Sequence, residues 1–105
     1  MSEQNLAHLV FFTLKDGSTE SINTVIEACR KYLDNHPGIV HFSVGPNVPD
    51  LQRPVNDQDY HVNLNVIFES RAAHDAYQTD ERHLQFIAET KESWENVRIF
   101  DSYVS

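Results

Sequence analysis

The first strand of this chain is apolar on both of its faces, and this feature limits the folds open to it. Residues 7–15 read Ala-His-Leu-Val-Phe-Phe-Thr-Leu-Lys, and Asp16-Gly17-Ser18 ends the run. Side chains alternate between the two faces of a strand. The run therefore places apolar side chains on each face, Val10 and Phe12 on one and Leu9 and Phe11 on the other. A sheet that contains such a strand needs a cover on both sides.

After the first strand, the spacing of the apolar residues changes to that of a helix. From Ser18 onward they recur three or four positions apart and form one stripe of an amphipathic helix: Ile22, Val25, Ile26, Cys29 and Leu33. Ser18 is the expected N-cap, and His36-Pro37-Gly38 is a stop signal. The sequence therefore predicts a first helix between these two signals.

Two further strands are expected, separated by a long connection. The second strand covers residues 39–45, and the third covers residues 60–68. The third alternates cleanly, with an apolar face made of Val62, Leu64, Val66 and Phe68. The connection contains three prolines and reaches Asp59, which is longer than most loops in compact domains. We expect it to act as a lid or as part of an interface.

Helices follow at about residues 70–78 and 81–93, and residues 97–104 form a fourth strand. The order β-α-β-β-α-α-β is close to the split βαβ pattern of ferredoxin-like folds. We therefore expect one α+β domain over residues 1–105, with a core of about 7–104 and a four-stranded antiparallel sheet. Helices in such a fold cover one face, and a second copy of the chain is the simplest cover for the other. This predicts a homodimer paired sheet against sheet.

Composition and charge exclude several classes of partner. The formal net charge is −8, so neither nucleic acid nor an anionic membrane surface is an expected partner. Cys29 is the single cysteine, and we expect it to be a small buried apolar residue and not a nucleophile. The polar residues 1–5 do not resemble a signal peptide. We expect a cytoplasmic protein.

Tyr77 and His83 are the strongest candidates for acid–base chemistry. On one continuous helix, their spacing of six residues would turn them to different faces. If Asp80 ends one helix and caps the next, a phenol and an imidazole can converge on one pocket and exchange protons with a ligand. The helix start favours a neutral His83, whereas Asp80 and Glu81 favour the imidazolium, and the sequence leaves this open. Packing alone is the alternative for both residues.

Other polar residues have simpler interpretations. His8 shares its face with Val10 and Phe12, so it is expected either to line a pocket or to form a hydrogen bond at the strand end. Three polar residues follow the opposite face of the third strand, where hydrogen bonds across a dimer are favoured over a binding site: His61, Asn63 and Asn65. Phe86 and Trp94 are expected to be core or interface anchors.

The spacing of the histidines does not suggest a metal site, and the three glycines stand alone, unlike those of a phosphate-binding loop. The sequence also lacks the motif of a nucleophile elbow. We therefore expect neither a metal nor an organic cofactor.

Several short motifs, in this order, resemble the stress-responsive A/B barrel (dimeric α+β barrel) family. They are His8-Leu9-Val10, Pro37-Gly38-Ile39, Val44-Gly45-Pro46-Asn47, the run from Phe68 to Tyr77, His83 and Phe100-Asp101. The resemblance covers about residues 7–104. It implies a ferredoxin-like monomer whose dimer closes two sheets into a barrel.

The resemblance also implies candidate functional residues. The family includes plant stress proteins without settled catalysis and a plant polyketide cyclase that uses neither metal nor organic cofactor. In that cyclase, a tyrosine and a histidine matching Tyr77 and His83 perform the acid–base chemistry. A histidine matching His8 lines its pocket, which implies a ligand-binding set of His8, Val10, Phe12 and Leu64. A common His-Pro before the final histidine is replaced here by Asp80-Glu81, which changes the charge beside His83.

Two functions of different classes remain. The first is a homodimeric module that binds a small apolar or aromatic molecule or takes part in a stress response, favoured because no strong catalytic motif is present. The alternative is a cofactor-independent enzyme acting on an aromatic or polyketide-like substrate, with His83 as the base and Tyr77 as the hydroxyl that polarises a carbonyl. Catalysis requires both side chains to face one cavity, so their geometry discriminates between the two.

Overall fold

The protein folds as one four-stranded sheet with helices on one side. This computed structural model describes residues 4–105; residues 1–3, part of the polar start that does not resemble a signal peptide, lie outside the described residues. The elements are β1 (Asn5–Leu14), α1 (Thr19–Tyr32), β2 (Ile39–Pro46), β3 (Val62–Phe68), α2 (Arg71–Thr79), α3 (Glu81–Thr90), a short 3-10 helix (Lys91–Ser93) and β4 (Trp94–Val104). The sheet is antiparallel with the order β2-β3-β1-β4, which is the predicted α+β, ferredoxin-like fold. None of the helices in residues 4–105 is long and apolar enough to span a membrane.

The strand register separates an inner face, which packs against the helices, from an outer face. On the inner face, Val10 pairs with Leu64 on one side and with Ile99 on the other. The predicted apolar face of β3 is almost completely buried: Val62, Leu64, Val66 and Phe68. The predicted stripe of α1 packs onto the same core, where Ser18 caps the helix by accepting a hydrogen bond from the Ser21 N–H. Alternation in the strand and periodicity in the helix thus specify the same core.

The outer face carries an apolar strip that none of the described helices covers. Leu9 pairs with Phe100 across β1 and β4, and Phe100 is 52% exposed. The rings of Phe11 and Phe100 pack edge to face with their centroids 5.7 Å apart. Because the three α-helices lie on the inner face, the first strand has a covered side and an open side, as its sequence predicts.

The long connection between β2 and β3 lies beside the outer face. The ring centroid of Tyr60 is 5.0 Å from that of Phe11, and Arg98 donates a hydrogen bond to the Asp57 carboxylate at 2.9 Å. The connection contains no helix or strand, and the Gln58 amide stabilises it by donating to the backbone carbonyls of Val48 and Leu51. These contacts favour the interface interpretation of this segment over the lid.

The ends of several elements differ from the predicted ones. β4 begins at Trp94 instead of residue 97, because a register shift between Thr13 and Leu14 lets Trp94 pair with Leu14. The last α-helix accordingly ends at Thr90 and not at residue 93. This early start places the Trp94 ring against Phe12, with centroids 5.4 Å apart, on the inner side of the sheet.

Candidate functional site

A cavity of about 160 Å³ lies between the inner face and the helices α2 and α3. We call it the central cavity. Its lining is mostly apolar with a few polar groups: His8, Val10, Phe12, Leu33, Leu64, Tyr77, Gln78, His83, Phe86, Ile87, Trp94, Val97 and Ile99. The six candidate residues taken from the sequence are all in this lining, although their roles stay predictions. Ile99, which is 52% exposed, marks the rim.

Asp80 allows Tyr77 and His83 to converge. The helix α2 ends at Thr79, and the Asp80 side chain accepts a hydrogen bond from the Arg82 N–H at 2.8 Å, which starts α3. His83 is therefore the third residue of α3, and its ring centroid lies 4.7 Å from that of Tyr77. The predicted helix break is confirmed, and it places a phenol and an imidazole at one cavity.

Burial shifts the pKa values of Tyr77 and His83 in opposite directions. It lowers the pKa of His83, and the nearby imidazoles of His8 and His36 lower that pKa further. A hydrogen bond to the Gln78 backbone and the carboxylate of Asp80 offset only part of this effect. Burial also raises the pKa of the Tyr77 hydroxyl far above its ordinary value. Near neutral pH, the lowered pKa favours the neutral imidazole of His83 over the imidazolium, and the raised pKa keeps the Tyr77 hydroxyl protonated.

Two ring nitrogens in the lining are buried and unpaired. They are His83 Nδ1 and Trp94 Nε1, which have no hydrogen-bond partner among residues 4–105. Buried polar groups nearly always have partners, and leaving one unpaired costs roughly 1–3 kcal/mol. An indole N–H can only donate, whereas an imidazole nitrogen can donate or accept. A bound molecule that carries oxygen could satisfy both nitrogens.

His8 lies on the inner face, as its place in the strand predicts. It is 3% exposed, and its Nδ1 is hydrogen-bonded at 2.5 Å to the carboxylate of Asp101, its partner in the β1–β4 register. This contact favours a proton on Nδ1 and leaves Nε2 as the acceptor. Burial, with a smaller contribution from His74, lowers the pKa of His8 although the hydrogen bond and charge of Asp101 raise it, which favours the neutral ring.

Three residues at the site were not among the candidates taken from the sequence. Trp94 was expected to be a core or interface anchor, and its sequence neighbours Ser93 and Glu95 give no sign of an unpaired indole nitrogen. His36 was expected only as part of a helix stop, yet its ring centroid lies 5.0 Å from that of Tyr77, and its Nε2 bonds the carbonyl of Tyr32 at 2.7 Å. Asp101 is part of the Phe100-Asp101 motif, which is the one signal that could have indicated its contact with His8.

The polar row on the third strand is hydrogen-bonded within the chain. His61 Nδ1 accepts from the Leu14 N–H at 2.9 Å, and the Asn63 amide donates to the Val10 carbonyl at 3.3 Å. The Asn65 amide donates to a serine hydroxyl on β2 at 3.1 Å. Hydrogen bonds from this row to a second copy stay a prediction, and they would use the remaining amide oxygens.

One cluster in the described part of the chain has the side chains of a metal site. His8, His74 and Asp101 each offer one ligand atom, and the three atoms lie within 4.8 Å of one another. The residues come from β1, α2 and β4, so short sequence spacings could not reveal them.

Solved structures share this fold over nearly the whole chain. A dimeric ferredoxin-like protein of unknown function from Thermobifida fusca is 14% identical, with a TM-score of 0.80 over 97% of this chain and 92% of that one. A Dabb family protein from Mesorhizobium loti is 23% identical, with a TM-score of 0.80 over 98% and 99% of the two chains. A hydroxynitrile lyase from Passiflora edulis is 19% identical, with a TM-score of 0.76 over 97% and 94%. At these identities the likeness shows the fold alone.

The sequence itself identifies the family. Among curated proteins, none matches this chain. The family model described as Stress responsive A/B Barrel Domain matches residues 6–104, which include nearly all of the four strands and all three α-helices. The chain therefore belongs to the stress-responsive A/B barrel domain family.

Proposed function

We propose that this protein is a homodimeric module that binds a small, ring-containing molecule with a polar oxygen in the central cavity. The observation that carries the proposal is the presence of two unpaired nitrogens, His83 Nδ1 and Trp94 Nε1, in the lining of one apolar cavity. A ligand oxygen that accepts from the indole and bonds the imidazole would recover the hydrogen bonds that both groups lack.

The size and walls of the central cavity suit a single ring. An apolar cavity of about 150 Å³ in another protein takes up benzene, and the central cavity has about 160 Å³. Phe12, Leu64 and Phe86 supply apolar walls for the ring. The Tyr77 hydroxyl can then donate to a carbonyl or hydroxyl oxygen of the ligand, and the neutral His83 can accept from a ligand hydroxyl.

The homodimer is part of the proposal because the outer face requires a cover. Leu9, Phe11 and Phe100 form an apolar strip there, and the contacts of the β2–β3 connection lie along the same face. The Thermobifida fusca protein of the same fold is described as dimeric. A twofold pairing of two outer faces would bury the strip of each copy against that of the other.

Calorimetric titration with acetophenone, a one-ring ketone, tests the binding proposal, with benzoate as a second probe. We expect one saturable site per chain. Trp94→Phe keeps a ring but removes the indole N–H, and it should weaken acetophenone binding about five- to tenfold, the worth of one hydrogen bond. Val10→Phe should fill the cavity and prevent binding.

Leu9→Phe is the matched control for that cavity-filling change, because Leu9 neighbours Val10 but faces outward. It should bind acetophenone like the wild type. If the wild type binds neither probe, or if both Trp94→Phe and Val10→Phe bind at wild-type affinity, the proposal is wrong.

A second candidate function is proton transfer at carbon, favoured by the placement of Tyr77 beside His83. With a ketone oxygen at the Tyr77 hydroxyl, neutral His83 can remove a proton from the adjacent carbon. The C–H bond breaks, an N–H bond forms, and the electron pair moves onto the oxygen of an enolate, which the Tyr77 hydrogen bond stabilises. This is the cofactor-independent chemistry on an aromatic or polyketide-like ketone that the family resemblance implies. The Passiflora edulis lyase is an enzyme with this fold.

Exchange of the methyl protons of acetophenone in deuterated water, followed by NMR, tests this second candidate. The wild type should accelerate the exchange, and His83→Gln should reduce the acceleration by about a hundredfold or more. Tyr77→Phe should also reduce it while acetophenone still binds. Exchange no faster than in buffer would remove catalysis and leave the binding module.

The cellular setting stays a prediction. Cys29 is a free thiol buried in the core, and burial raises its pKa to about 12, which suits an inert apolar residue in a reducing cytoplasm. A role in a stress response depends on the family alone.

A further inference from the structure

A second group of polar side chains lies at the edge of the central cavity and shares one residue, His8, with its lining. It borders an open cleft of about 280 Å³, which we call the β4 cleft, lined by Leu6, Arg71, His74, Asp101, Ser102 and Tyr103. Beside this cleft, His74 and Asp101 meet His8: the ring centroids of His8 and His74 are 5.1 Å apart. His74 itself does not line the central cavity.

We propose that His8, His74 and Asp101 bind a divalent transition-metal ion between the β4 cleft and the central cavity. Two imidazole nitrogens and one carboxylate oxygen are a donor set typical of Zn²⁺ and its transition-metal neighbours, whereas Mg²⁺ and Ca²⁺ prefer oxygen alone. The open cleft leaves room for water as a further ligand.

The distances require only a modest adjustment. Tetrahedral Zn²⁺ with bonds of about 2.0–2.2 Å holds its ligand atoms roughly 3.3–3.6 Å apart, and the three atoms here already lie within 4.8 Å of one another. The Asp101 carboxylate must release its hydrogen bond to His8 Nδ1 to reach an ion held by His8 Nε2. Its side chain is 44% exposed, so it can make this move without disturbing the core. His8 is fixed by burial and supplies the rigid side of the site.

The imidazoles already have the orientation that metal ligands need. His74 Nδ1 is hydrogen-bonded to the Asp75 carboxylate at 2.9 Å, and Arg71 donates to the same oxygen at 3.0 Å. This arrangement favours a proton on Nδ1 and leaves a lone pair on Nε2, as outer carboxylates do for ligating histidines in metal sites. The Gln78 amide nitrogen lies 3.3 Å from His74 Nε2 and 3.5 Å from His8 Nε2, so both lone pairs face one small polar group.

The charge of the nearest arginine does not oppose a bound cation. Arg71 is the one cationic side chain in the lining of the β4 cleft, and its charge is paired with Asp75.

Calorimetric titration of the tag-free protein with Zn²⁺ tests the proposal. We expect the wild type to bind one Zn²⁺ per chain. His74→Gln and Asp101→Asn should each weaken binding by at least about tenfold. His41→Gln removes an exposed histidine outside the cluster and serves as the matched control, which should bind Zn²⁺ like the wild type.

NMR of the histidine side-chain nitrogens locates the ion independently of affinity. Zn²⁺ should shift the ring resonances of His8 and His74 and leave those of His41 unchanged. The proposal is overturned if the wild type takes up no Zn²⁺, if binding survives both cluster substitutions, or if His41→Gln abolishes it. Because His74 lies outside the central cavity, these results do not depend on whether acetophenone binds there.

Discussion

The two faces of the sheet are made by the same four strands, but they bury their side chains in different ways. On the inner face, Leu64, Val66 and Phe68 are at most 1% exposed, and the central cavity interrupts this packing. On the outer face, Phe100 is 52% exposed and no described helix covers it. The comparison indicates that a small-molecule site needs a face that is closed almost everywhere, whereas association with a second copy needs one that is left open.

The largest loss of stability is expected from truncating Phe68 on the inner face. Phe68 is fully buried, and its ring centroid lies 5.0 Å from that of Tyr77. Phe68→Ala leaves a void and should lower the free energy of unfolding, measured with urea, by about 3–5 kcal/mol. Phe100→Ala is the outer-face control and should lower it clearly less. Equal losses would show that the two faces are packed alike.

The next largest effect concerns association through the outer face. Light scattering should give a dimer mass for the wild type at micromolar concentration. Phe100→Glu would bury an unpaired charge in each copy, which costs about 3 kcal/mol or more and should weaken the dimer at least about a hundredfold. Leu84→Glu places the same charge on the half-exposed side of α3 and should leave the mass unchanged. A wild-type monomer would contradict the interface.

Replacing Trp94 by phenylalanine should change the free energy of unfolding only slightly, and could raise it. Trp94→Phe removes a buried N–H that has no partner in the described chain, so the unfolding free energy without ligand should stay within about 1 kcal/mol of the wild type or rise. Acetophenone affinity should fall in the same variant. A destabilisation above about 2 kcal/mol would mean that this nitrogen already has a partner inside the protein.

The sequence could predict more of the inner face than of the site within it. Alternation in β3 and the cap at Asp80 depend on neighbouring residues, so local patterns specify them. The unpaired nitrogen of Trp94 depends on the register shift between Thr13 and Leu14, which pattern alone does not encode. The contact between His8 and Asp101 depends on how β1 pairs with β4. Site chemistry that depends on tertiary pairing is therefore visible only after the strands are placed.

The smallest expected effect is a pH dependence of stability caused by His83, which lies in the lining of the central cavity. Burial and the nearby His8 and His36 lower the pKa of folded His83 below its usual value of 6.5, so the unfolded chain takes up a proton at higher pH. The contribution of His83 to stability is therefore complete above 6.5 and is lost as the pH falls towards its lowered folded value. His83→Gln should flatten the dependence of the unfolding free energy on pH across that window.

The pKa of His8 is also lowered, so His8 contributes a pH dependence of the same sign. The measurement is therefore the difference in pH dependence between His83→Gln and the wild type. His41→Gln, the same substitution at an exposed histidine, is the control. Protonation also removes the base, so the exchange rate of acetophenone should decline on acidification with a midpoint below 6.5. A midpoint above 6.5 would mean that His83 carries a charge stabilised by Asp80. Tyr77 and His83 would then both be donors, and a ketone could be bound between them but not deprotonated by His83.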